Sequence, residues 1–212
     1  MFIDYVTLML VNMAAGFLLL ACFVMWGINA DDKRKWVPPF AVVGGIAFLT
    51  GLHMSFTWPL IGAYNIAFGE LSVMLGALFL GAALALAKGW TLGPLAVYAI
   101  PAGLAAIVVG LRIANTEMTR SPVMAGVGFV LSGLGGLAAL PVVILRRSVF
   151  VRFLASVTLV LVAGLWGFVG LAAYWGHVQP DEGFGKWKPA PMRAMQPAPE
   201  ADGNGGESGD GS

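Results

Sequence analysis

The sequence predicts an all-α integral membrane protein whose six helices cross the bilayer as three antiparallel hairpins, with both termini on the external side. Three observations carry that reading. Of 212 residues, 58% are hydrophobic and only 11% are charged, whereas soluble domains run near a quarter charged. Six apolar runs are each long enough to cross a hydrocarbon core, which takes roughly 20 helical residues. The basic residues of the short connections fall mainly on alternate connections, as the positive-inside rule requires.

The spans are expected at about 5–28, 40–60, 66–87, 92–113, 123–145 and 152–176. Helix satisfies backbone polar groups inside lipid, where an open strand would not. Pro101 and Pro141 fall inside the fourth and fifth spans, where kinks are expected. No basic residue precedes Lys33, so the first run reads as a spanning helix that is retained rather than a cleaved leader. Lys33, Arg34, Lys35, Lys88, Arg146, Arg147 and Arg152 lie in the first, third and fifth connections. That places those connections in the cytoplasm. Tyr5, Trp58, Tyr64, Tyr174 and Trp175 then ring the outer interface, and Trp26, Trp36 and Trp90 mark the inner one.

Residues 1–179 form the transmembrane domain. Beyond them the composition shifts to Pro, Gly, Asp, Glu and Ser, too polar to bury an ordering core, so 180–212 reads as a disordered external tail. Within the spans there is a repeat of about sixty residues. Asn12, Ser72 and Ser132 recur at that step, as do Gly16, Gly76 and Gly136 in the odd spans and Gly51, Gly110 and Gly170 in the even ones. The spacing suggests three copies of one helical hairpin.

Net charge is +1 and there is one cysteine, Cys22. Bulk electrostatics therefore point to no nucleic acid partner, and neither a disulfide framework nor a cysteine metal site can be built. The partners implied are the lipid bilayer and other membrane subunits or a second copy of the chain.

Residues 51–70, GLHMSFTWPLIGAYNIAFGE, hold the most informative polar groups. If Trp58 marks the outer interface, His53 lies five residues deeper, or ~7 Å at the helical rise. Glu70 reaches a similar depth on the next helix, so the two side chains are expected to meet. Arg112 occupies the corresponding place in the fourth span, and Asp4 caps the first helix on the same side. Asp4, His53, Glu70 and Arg112 thus outline an outward-facing polar pocket, with Asn115, Glu117, Arg120 and His177 slightly further out.

Several readings of this cluster stay open. Paired charges inside a membrane can fix packing and register with no chemistry. His53, Glu70 and His177 are the candidate metal ligands, because imidazole and carboxylate suit a haem iron or another transition metal. His177 follows Trp175 and should stand nearer water, which disfavours a haem held between two histidines. A transport path has only Asn12, Ser72 and Ser132 at mid-membrane, none of them ionisable. No nucleophile turn or phosphate-binding loop is present. The leading expectation is a non-enzymatic membrane subunit or scaffold presenting the polar pocket. The alternatives are a haem- or metal-binding redox subunit using His53 and a small-solute transporter.

The start MFIDYVTLMLVNMAAGF, the stretch GLHMSFTWPL and the following YNIAFGE resemble a family of bacterial and archaeal membrane proteins, catalogued as domain of unknown function nine-eight-one. The likeness covers about residues 1–145, strongest over 51–70, and leaves out the tail from Pro180. The resemblance implies a multi-pass protein of the cytoplasmic (inner) membrane of a prokaryote and treats His53 and Glu70 as a unit. It implies no reaction.

Overall fold

The computed structural model describes residues 5–60, 62–116 and 118–178. The predicted tail at 180–212 lies outside the described residues, as does Asp4. Among the described residues six helices are long and apolar enough to cross a membrane: α1 Tyr5–Gly27, α2 Arg34–Thr57, α3 Asn65–Lys88, α4 Gly93–Ala114, α5 Pro122–Ile144 and α6 Val149–His177. No strand occurs among the described residues.

The helix ends follow local chemistry. Pro38 stands in the first turn of α2, Pro94 in that of α4 and Pro122 in that of α5, where the missing amide proton is not needed. The α2 helix begins earlier than its apolar run because a 3-10 turn at Arg34–Trp36 leads into it. Gly89 closes α3 at φ 71°, its amide donating to the Ala85 and Leu86 carbonyls, the left-handed cap that glycine adopts without strain. Trp58 ends α2 in the same left-handed region at φ 47°, an unusual state for a bulky residue, and Pro59 then prevents any continuation. Ser148 caps α6, its hydroxyl accepting from the Val151 amide at 3.4 Å.

Pro101 and Pro141 lie inside continuous helices. The irregular turns are elsewhere, as π-helix at Phe23–Gly27 and Asn65–Glu70, and neither contains a proline. The first stretch serves packing: the Arg152 Nη1 donates to the Met25 carbonyl at 2.6 Å, and the Ser156 hydroxyl to the Ala21 carbonyl at 3.0 Å. Both bonds tie α6 to the end of α1.

Each helix contacts its neighbours in the chain, and α6 returns to α1, so the six close into a ring. The closest seams are α4 with α5, α2 with α3, and α1 with α6. They therefore join one expected hairpin to the next instead of lying within it. The sixty-residue repeat explains why. A β-carbon at Gly51 would lie 2.7 Å from the Val73 amide nitrogen of α3, and one at Gly110 would lie 2.8 Å from the Gly126 carbonyl oxygen of α5. At Gly170 it would lie 2.9 Å from the Val11 side chain of α1. All three even-span glycines thus bring a backbone against the odd helix that follows, the role small residues play in membrane bundles. Gly16 departs from the pattern, facing Val43 and Phe79 rather than α6.

At Gly110 an added methyl group has only backbone and Phe129 to push against. Gly110→Ala should destabilise the protein by about 1–3 kcal/mol through overpacking, seen as a lower Tm in detergent. Gly45 has nothing within 4 Å of an added β-carbon, so Gly45→Ala should leave Tm unchanged or raise it. Equal effects at both positions would refute the seam.

Candidate functional site

His53, Glu70, Arg112 and His177 sit near one end of the ring, but on different faces. His53 is exposed, and its ring meets Tyr5 of α1 edge-on, with centroids 5.6 Å apart at 81°. The α2 face turned to α3 is built instead from Gly51, Met54 and Ser55, which pack on Gly69 and Val73. Glu70 is exposed. Among the described residues no hydrogen bond or ion pair joins His53 to Glu70, or either of them to Arg112. The depth count aligned these side chains along the membrane normal, whereas their direction around each helix is set by the seam glycines.

His177 lies by Thr7, with Oγ1 and Nδ1 3.3 Å apart. Tyr5 and Thr7 are two residues apart on α1, so they project about 200° from one another. The first helix therefore stands between the two histidines. Among the described residues no group of three or more His, Cys, Asp or Glu side chains is placed to hold a metal ion, and His53, Glu70 and His177 do not form one.

Two buried asparagines are hydrogen-bonded. Asn12 donates to the Val43 carbonyl at 3.0 Å, locking α1 to α2. Asn65, fully buried, accepts from the Leu60 amide at 3.1 Å and donates to the Leu60 and Gly62 carbonyls. One side chain thus holds the turn between α2 and α3, a role that sequence reading did not assign to it. Beside it, Tyr64 stacks on Phe68 with centroids 6.0 Å apart, and burial pushes its hydroxyl up to about 12.

The ring also encloses space along its interior. A cavity of about 530 Å³ is lined by residues of all six helices, among them Phe17, Phe40, Leu75, Ala99, Leu134 and Leu159. Its polar lining is confined to Ser72, Ser132 and Thr158. Ser132 donates to the Gly128 carbonyl at 2.7 Å and accepts from the Trp166 indole at 2.9 Å, while Thr158 donates to the Leu154 carbonyl at 3.0 Å. The Ser72 hydroxyl has no hydrogen-bond partner among the described residues.

The cavity occupies one half of the ring. Ile28, Leu92 and Val151 line it at the end that carries Lys33, Lys88 and Arg146. Toward the other end Phe68 and Phe129 close it, in a row with Trp166 whose successive ring centroids lie 5.3 and 5.2 Å apart. Among the described residues, none of 5–12, 41–57, 107–128 or 163–177 lines it. The polar groups predicted as a site and the space able to take a ligand are thus at opposite ends. The lining residues are ordinary apolar ones, and no sequence signal separates lining from filling.

The class so defined is an all-helical protein, with six helices among the described residues long and apolar enough to span a bilayer around an apolar interior. The chain belongs to the family described as Protein of unknown function (DUF981), whose model matches residues 1–180. The match takes in all six helices, further than the first five that the resemblance covered. No curated protein and no solved structure matches the chain.

Removing the Asn65 side chain would leave the part-buried Leu60 amide and two carbonyls without their partners. At roughly 1 kcal/mol per lost bond and more for an orphaned donor, Asn65→Ala should destabilise by about 2–4 kcal/mol. Thermal unfolding in detergent measures this, and Asn65→Asp should recover part of the loss through the Leu60 bond. Asn65→Ala melting like the parent would show that the turn does not depend on this side chain.

Proposed function

We propose that the protein is a non-enzymatic multi-pass protein of the cytoplasmic membrane that holds an apolar, lipid-like molecule inside its helix ring. The cavity carries this reading. A space of about 530 Å³, lined almost wholly by apolar side chains, falls within the size range of ligand pockets and suits an apolar occupant. Ser72 adds a single free hydroxyl with which a bound molecule can be oriented.

The haem or metal reading through His53 draws little support from this geometry, because α1 parts His53 from His177. Transport is likewise weakly supported, since Phe68 and Phe129 close the cavity below the outer polar groups. Outside the ring, exposed Phe56, Phe150, Phe153 and Trp175 suit contact with lipid, and the same surface can receive other membrane subunits or a second copy.

Native mass spectrometry of the detergent-purified chain should detect a retained apolar molecule. Ser72→Phe, which places a ring in the cavity, should abolish that adduct and raise Tm in lipid-free detergent. A parent chain without adduct, with a Tm indifferent to Ser72→Phe, would overturn the proposal.

The positive-inside frame makes a separate prediction. In cells, with Cys22→Ala as background, Ala63→Cys should react with an impermeant thiol reagent from outside and Lys33→Cys should not. The reverse pattern would invert the topology.

A further inference from the structure

The end of the ring where the cavity emerges is also the basic end. Asn29, Ala30, Asp31 and Lys33, from the connection after α1, line a recess of about 500 Å³ together with Arg146 and Arg147, from the connection after α5. Asn29 donates its side-chain amide to the Arg146 carbonyl at 2.7 Å, so the two connections are fastened across the ring. Three cations face one carboxylate there, and among the described residues none of them is in an ion pair. Ile28, only 4% exposed, lines both this recess and the apolar cavity. Arg152 stands close by on α6. Its Nη1 is used by Met25, but its Nε is buried without a hydrogen-bond partner, and its chain neighbour Val151 lines the cavity.

We propose that the recess and the cavity form one amphiphilic site for an anionic phospholipid. Its phosphate sits on Lys33, Arg146 and Arg147, and an acyl chain passes Ile28 into the ring. The inference rests on the cavity reading and adds the headgroup to it. Unpaired cations at a membrane border favour a counter-charge, and basic pockets at the ends of membrane helices are suited to lipid phosphates. A free phosphate would match the cations and leave the cavity empty. A neutral lipid would fill the cavity and leave the cations unpaired. An anionic phospholipid matches both.

The test uses the full chain in neutral detergent, titrated separately with dioleoyl phosphatidylglycerol, dioleoyl phosphatidylcholine, dioleoylglycerol and inorganic phosphate, with binding read by native mass spectrometry and thermal shift. Each cation near a membrane surface is worth about a factor of five in affinity. The Arg146→Gln/Arg147→Gln variant should therefore bind phosphatidylglycerol about 30-fold more weakly and keep its affinity for dioleoylglycerol. These side chains are exposed and the Asn29 bond uses a backbone carbonyl, so the fold should persist. Lys33→Gln gives an independent variant with a smaller loss. Lys88→Gln, at the same end but outside the recess, should change nothing.

Equal binding of phosphatidylglycerol, phosphatidylcholine and dioleoylglycerol by the parent would overturn the headgroup site and leave the cavity reading standing. Failure of every lipid to bind would overturn both. A Lys88→Gln loss as large as that of the double variant would reduce the effect to general charge and sink the site. A thermal shift from inorganic phosphate matching that from phosphatidylglycerol would assign the recess to a free anion instead of a lipid.

Discussion

Once helices are in a bilayer, exchanging lipid for protein contact yields little hydrophobic gain, so their association rests on how closely their backbones approach. Here close approach is concentrated in three seams, α1 with α6, α2 with α3 and α4 with α5. Gly51, Gly110 and Gly170 hold equivalent places in them. Helices drawn together in pairs around a ring cannot all be drawn to its axis as well. The interior space follows from that division of contact, and the apolar lining follows from the composition of the spans.

The seams also decide what the polar groups do. Because Gly51, Met54 and Ser55 occupy the α2 face toward α3, His53 is turned to Tyr5, and Glu70 stays exposed at the start of the next helix. The polar groups inside the ring lock it: Asn12 on Val43, Ser156 on Ala21, and Trp166 on Ser132. None of these forms a continuous polar route, and each satisfies a donor that lipid could not.

Much of the architecture was legible in the sequence. Runs of about twenty apolar residues admit one backbone state in lipid, so the spans emerged within a few residues of their places. The glycine repeat was legible too, although its meaning was not, since spacing reveals equivalent positions without saying which neighbour they meet. Helical rise predicts a height for His53 and Glu70 along their helices, while their bearing around the axis depends on partners that no local pattern names. The cavity was illegible for a plainer reason. Leu75 or Ala99 beside a void is the same residue as one against a neighbour, and only the distance between helices distinguishes the two. The π-helical turns at Phe23–Gly27 and Asn65–Glu70 had no proline to announce them.

An apolar interior of about 530 Å³ has a consequence for what the word stability means in this protein. On the proposed reading, part of its core is supplied by whatever surrounds it. A molecule that occupies the folded ring but not the unfolded chain adds to the folding free energy through its concentration and affinity. The melting temperature is then a joint property of sequence and surroundings, and changing the tail length of a detergent changes the composition of the core without touching a codon.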